Sequence, residues 1–145
     1  MNRASSSTKL IGAILDGVFA VLTEMGAKHP DLAGIGVTSF GETFVLADEQ
    51  GAPLAPAMLY TDPRGAEECA ALTGKLGAEQ IARITGLAPH EMYSLPKLMW
   101  LKAHVPALFA KAKRVLLMED FVVWHLTGVA QIDHSLASRT MRSEE

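Results

Sequence analysis

Cysteine occurs once, at Cys69, so no internal disulfide can form. With nothing else pointing to export, a reducing, cytoplasmic compartment is expected and Cys69 reads as a small helix-packing residue. Charge of one sign is scarce as well. The net charge is −3, without the basic surplus that a nucleic acid or an anionic membrane surface would call for. Long apolar runs are missing. The run over residues 10–15 stops at Asp16 with no small-residue cleavage site after it, so no signal peptide is expected. Nothing approaches the ~18 apolar residues of a membrane span. The histidines, His29, His90, His104, His125 and His134, show no HxxxH or His/Cys pairing at ligand spacing, so no metal site is expected. Neither a G-x-x-x-x-G-K-[ST] loop nor a G-x-G-x-x-G turn occurs, which removes the P-loop and Rossmann classes.

What is present suits one domain over residues 1–145, with apolar content near half and no repeat, low-complexity segment or linker. Residues 2–7 read as a frayed start that supplies an N-cap. Ile11, Ile14, Leu15, Val18, Leu22 and Met25 fall at helical spacing, which predicts a core helix ending at Gly26. Strands are expected at 35–37 and from Phe44, paired as a hairpin or as neighbours in one sheet. Helices follow over 65–76 and 78–84, each stopped by a glycine. A further apolar helix surrounds Lys97, with Ser94 as N-cap and Lys97 as a surface or cap lysine. Pro106 opens a short helix over 107–112. Residues 115–118 read as a buried strand, and Asp120 as the cap of a helix over 121–126. Residues 130–132 are extended, and 141–145 look like an arbitrary stop.

The chain is organised around residues 34–65. An apolar run ends in Thr38 and Ser39, and Gly41 then permits close backbone approach. Glu42 follows, a carboxylate without a basic neighbour in sequence. A second extended segment, shaped by Pro53 and Pro56, releases Tyr60, Asp62 and Arg64. Polar clusters set free at strand ends are how an α/β site is assembled. Glu42 accepts hydrogen bonds only, which suits two sugar hydroxyls, each donating one; a solvated turn is the alternative. Asp62 and Arg64 either hold each other or place Asp62 against a ligand. Tyr60 is either an aromatic wall or a half-buried core residue.

These residues also carry a family resemblance. V-T-S-F-G-E-T-F-V-L-A-D over 37–48 and P-A-x-x-Y-x-D-x-R over 56–64 resemble the N-terminal domain of the FGGY carbohydrate kinases, which include glycerol kinase and xylulokinase. The likeness continues through I-T-G-L at 84–87 and M-Y-S-L-P-K-L-M-W-L at 92–101. D-F…L-T-G over 120–128 and D-H-S-L-A-S-R-T-M at 133–141 complete it, so it covers residues 10–141.

The resemblance implies an incomplete ribonuclease-H-like, actin-like ATPase domain: a mixed sheet flanked by helices, with the first strand hairpin missing. It implies that Glu42 contacts a sugar or polyol and that Gly41, Tyr60, Asp62, Arg64 and Met92 stand around the same small-molecule site. The turn at Asp133–Thr140 would support it. Phe40–Gly41 replaces the glutamine–arginine pair of glycerol kinase and the methionine–histidine pair of xylulokinases, and Met92, in an aromatic position, cannot donate a hydrogen bond. The parent enzyme would use ATP and Mg. The family's D-x-G-T/S phosphate turn and its G-D-x-x base motif are both absent from these residues. An inactive fragment binding no nucleotide is therefore expected, with no catalytic residue of its own and an exposed sheet edge inviting self-association. The alternative is a free-standing carbohydrate-binding or assembly module.

Overall fold

The computed structural model describes residues 3–141, with side chains in the first helix from Ile11 on. Two short strands form its centre. Strand β1 (Phe44–Ala47) and strand β2 (Arg114–Leu117) pair antiparallel, Phe44 opposite Leu117 and Ala47 opposite Arg114. On the other side of β1, residues 53–58 run alongside through bridges at Pro53 and Met58. Met58 N donates to Phe44 O at 2.8 Å and Leu54 N to Leu46 O at 2.9 Å. Paired on both sides, β1 is buried at every residue, which is why it reads as continuous apolar sequence rather than as an alternation.

Successive side chains of β1 point to opposite faces, and a separate cluster covers each. Val45 and Ala47 meet Ile11, Leu116, Met118 and Phe121 on one face. Phe44 and Leu46 meet Met58, Leu101, Leu117 and Leu136 on the other. Helices α4 (Ser94–His104) and α5 (Pro106–Lys111) close the second face, with α2 (Ala66–Leu76) packed on α4 and α3 (Ala78–Thr85) beside α2. Helix α6 (Met118–Thr127) leaves β2 directly, and α7 (His134–Ser138) follows a stretch without regular structure.

Several expectations are corrected. The sheet among the described residues is antiparallel, not mixed, because residues 33–40 form no strand; they find no ladder partner, and Ile35 is 55% exposed. The first helix, α1 (Arg3–Lys28), runs through Gly26 to Lys28, so neither a frayed 3–7 nor a stop at Gly26 is found; Asn2 and residues 142–145 lie outside the described residues. Nor is α1 a core helix. Ile11 is buried and Leu15 packs beside it, whereas Ile14, Phe19, Val21 and Met25 are exposed, since only its N-terminal half reaches the sheet. Ser94 is the first residue of α4, not its cap, and Tyr93 precedes it as the cap in extended conformation.

Asp120 is displaced from its expected role in the same way. Helix α6 begins at Met118, and Asp120 reaches back from its third position so that its Oδ2 accepts Leu117 N at 3.0 Å. Its Oδ1 is buried with no partner, and burial, aided by Glu119 and Asp133, pushes its pKa up to about 6 from 3.8. A carboxyl held above its unfolded value stabilises when protonated. Stability is therefore expected to rise as pH falls from about 6 toward 4. Asp120→Asn keeps the acceptor for Leu117 N, so it should flatten that slope and add about 2 kcal/mol at pH 7.5. Urea unfolding of both proteins across pH 4–8 reads this directly; parallel slopes would exclude the mechanism.

Candidate functional site: an acidic cleft at the end of β1

Where β1 begins, the chain makes a tight, strained entry. Glu42 has φ 65°, in the left-handed region, and Thr43 N donates to Gly41 O at 2.8 Å. Such a backbone costs a residue other than glycine about 1–2 kcal/mol, so the surroundings must hold it. Thr43 helps: its Oγ1 accepts Tyr60 N at 3.1 Å, joining the start of β1 to the end of the 53–60 segment.

Glu42 is 4% exposed, and its Oε1 accepts from Arg139 Nη1 at 2.9 Å. The basic partner that sequence proximity did not supply comes from the end of α7. That helix is placed by Asp133, whose Oδ1 accepts Ser135 N at 2.7 Å and Leu136 N at 3.1 Å. Leu136, in turn, is buried in the cluster beneath β1.

Around this pair opens a cleft of about 1010 Å³, lined among others by Phe40, Gly41, Glu42, Tyr60, Met92, Glu119, Asp133 and Arg139. Four of the six residues expected at the site, Gly41, Glu42, Tyr60 and Met92, are thus brought together. Tyr60 is 46% exposed and its ring sits 6.4 Å from that of Phe40, forming an aromatic wall. Its exposure sets aside a core role. Glu119 and Asp133 add two carboxylates, and the burial of Glu119 together with the Asp133 charge raises the pKa of Glu119.

Asp62 and Arg64 do not line this cleft. They hold each other: Arg64 Nε donates to Asp62 Oδ1 at 2.9 Å and Nη2 to Oδ2 at 2.5 Å. The guanidinium lies 4.9 Å from the centroid of the Trp100 ring. The pairing lowers the Asp62 pKa and raises that of Arg64. Their loop is a fixed corner behind the site, and Gly65 explains its tightness. At φ 103° it lies so close to α4 that a Cβ there would meet Pro96 C at 2.8 Å and Lys97 N at 2.9 Å.

Lys97 corrects another expectation. It is neither a surface nor a cap lysine but 0% exposed. Its Nζ donates to Glu91 O at 2.6 Å, Met92 O at 2.9 Å and Tyr60 O at 3.4 Å. Burial lowers its pKa, opposed by the carboxylates of Asp62, Glu91 and Glu42. Two of its three acceptors belong to Tyr60 and Met92, so this ammonium joins two segments of the cleft wall.

Comparison places this arrangement in a class. The structure is similar to that of the xylulose kinase of Rhodospirillum rubrum, with a TM-score of 0.80 and 29% identity, over 90% of this chain and 28% of that one. The profile of the FGGY family of carbohydrate kinases, N-terminal domain, matches residues 3–144, and the chain belongs to that family. Among curated relatives, the xylulose kinase of Staphylococcus xylosus is 33% identical over 78% of this chain and 23% of its own length. The glycerol kinase of Halorhodospira halophila is 36% identical over 90% and 27% respectively. The chain thus spans about a quarter of the relatives it matches.

Lys97→Met keeps the length of the side chain but abandons three buried carbonyls. It is expected to lower unfolding stability by about 2–4 kcal/mol in urea, well above the cost of an exposed substitution. A change below about 0.5 kcal/mol would show that water replaces the ammonium.

Proposed function

We propose that this chain forms the carbohydrate-facing side of an ATP-dependent kinase domain and that its cleft receives a neutral sugar or polyol. The observation that carries this reading is the nearly buried Glu42 carboxylate opening on a cleft with an aromatic wall. A fixed carboxylate accepts hydrogen bonds from hydroxyls, and an aromatic face covers the apolar side of a sugar. Gly41, Tyr60 and Met92 shape the pocket beside Glu42. Asp62 and Arg64 serve it from behind as a supporting corner. Membership of a carbohydrate kinase family and likeness to both xylulose and glycerol kinases support the substrate class without choosing a sugar.

The same cleft does not fit nucleotide phosphates. Three carboxylates, Glu42, Glu119 and Asp133, face one guanidinium, already bonded to Glu42. That donor set repels a triphosphate, whose transfer depends on neutralising charge around the γ-phosphate. The nucleotide phosphates are therefore assigned to other parts of a complete kinase, and these residues contribute binding rather than phosphoryl transfer. None of the described helices is long and apolar enough to cross a membrane.

Titration of the chain with xylitol and glycerol, followed by amide chemical shifts, should move the 38–42 and 133–140 resonances. Glu42→Gln should weaken that binding about ten- to a hundredfold, the loss of a hydrogen bond to a charged group. Coupled ADP release with either polyol should stay far below the 1–100 per second on the order of which kinases turn over. Kinase-like turnover would overturn the division of labour, and unchanged binding by Glu42→Gln would overturn the pocket.

The unpaired segment 33–40 supports a further part of this reading, self-association. It carries no charge, and Ile35 and Val37 alternate with Gly34 and Gly36. Two copies laid antiparallel about Gly36 would set Ile35 against Val37 on one face. Sedimentation velocity should show a dimer that Gly36→Pro, which removes the central N–H, converts to monomer. A monomer at all concentrations would exclude it.

A further inference from the structure

Resting on the reading of the cleft as a polyol site, we propose that Arg139 is a second recognition residue. It forms with Glu42 an acceptor–donor pair that selects neighbouring hydroxyls. Glu42 and Arg139 lie 97 residues apart in sequence yet meet at 2.9 Å, and their exposures are unequal. The Glu42 side chain is 5% exposed and that of Arg139 53%. The carboxylate is thus nearly covered, the guanidinium is the more open of the two, and both line the cleft. Arg139 spends one N–H on Glu42 Oε1 and keeps others for the cleft, since a guanidinium carries five donors in a rigid fork.

The backbone is arranged for this crossing. Gly41 has no side chain, and a Cβ there would lie 3.1 Å from Arg139 Cδ and 3.3 Å from Leu136 Cδ2. The stem of Arg139 therefore lies across the bare backbone of Gly41 to reach Glu42. Among the described residues, only Glu42 and Met141 combine a side chain with positive φ, at 65° and 61°. One is the partner of Arg139 and the other stands two residues beyond it. Met141 is 1% exposed, so its burial anchors the turn that carries Arg139. Strain that persists at one member of an ion pair and two residues beyond the other marks a geometry the surrounding fold over-determines.

The chemistry follows from the donor and acceptor inventory. A hydroxyl that donates to Glu42 has its neighbour placed to accept from Arg139. A vicinal diol satisfies both groups at once, whereas a ligand lacking the second hydroxyl leaves a guanidinium donor facing an apolar carbon. Arg139 thus sets specificity while Glu42 supplies the anchoring charge.

The test compares glycerol with propane-1,3-diol, which lacks the middle hydroxyl, by amide chemical-shift titration of the whole chain. Wild type should favour glycerol about tenfold or more, and Arg139→Met should bring the ratio close to one. Arg139→Lys, which keeps the charge but not the fork, should fall between. Gly41→Ala retains both charged groups and guards against loss of α7; by displacing the Arg139 stem it should lower the ratio as well. Thermal unfolding confirms that each variant is folded. A ratio unchanged in folded Arg139→Met, with Glu42→Gln still weakening glycerol tenfold, would overturn the role of Arg139 alone. Absence of polyol binding by wild type would overturn the site reading and this proposal together.

Discussion

An ammonium with no water around it must find its hydration shell in the protein, and Lys97 finds it in three backbone carbonyls. That demand organises the cleft end of the molecule. Glu91 O and Met92 O come from the loop before α4, and Tyr60 O comes from the end of the segment beside β1. Each carbonyl satisfied by Lys97 belongs to backbone that no strand or helix ladder would otherwise fix. The cost of burying the charge, visible in its lowered pKa, is offset by three surrounding carboxylates and by the order imposed on the wall. Replacing Lys97 by an apolar residue would remove the cost and the order together.

Around that anchor, two glycines permit close approaches, Gly65 against backbone and Gly41 against side chains. Gly65 lets the start of α2 press on the Pro96–Lys97 backbone, which presents the lysine from a rigid helix. Gly41 lets Arg139 cross to Glu42. Helix α7 has only five residues and is held by the Asp133 cap and by Leu136, whose burial under β1 connects it to the core. The cleft therefore inherits its geometry from the sheet: Phe44, Leu46 and Leu136 share one cluster, and Glu42 and Arg139 are their near neighbours in the chain.

Much of this was readable from local pattern. The apolar runs at Phe44 and Val115 became the two strands because pairing and burial both favour β-branched and aliphatic residues there. Gly77, Gly86 and Gly128 end helices at positive φ, as their positions suggest. Asp62 and Arg64 pair because only Pro63 separates them, which keeps the two side chains in reach. Other features left no such trace. Lys97 bonds to carbonyls, which every residue has, so its acceptors carry no sequence signal; the one hint was a cation inside the apolar run 95–101. Arg139 meets Glu42 across 97 residues, a separation at which no spacing rule operates. The apolar periodicity of α1 predicted a helix correctly but not its burial. Periodicity reports a face suited to packing, not the presence of something to pack against.

The charge distribution ties these parts together. A cleft holding Glu42, Glu119 and Asp133 against Arg139 has a net negative field, and Asp120, next to Glu119 in sequence, has a pKa raised first by burial and further by the charges of Glu119 and Asp133. Crowded carboxylates disfavour anions but not uncharged hydroxyls, which supports the proposed reading of the cleft. Hydroxyls can also donate to carboxylates that water would otherwise satisfy. In the proposed reading, selectivity for a neutral, polyhydroxylated ligand arises from what the cleft repels as much as from what it bonds. The pairing of Glu42 with Arg139 is the one place in the cleft where both effects meet.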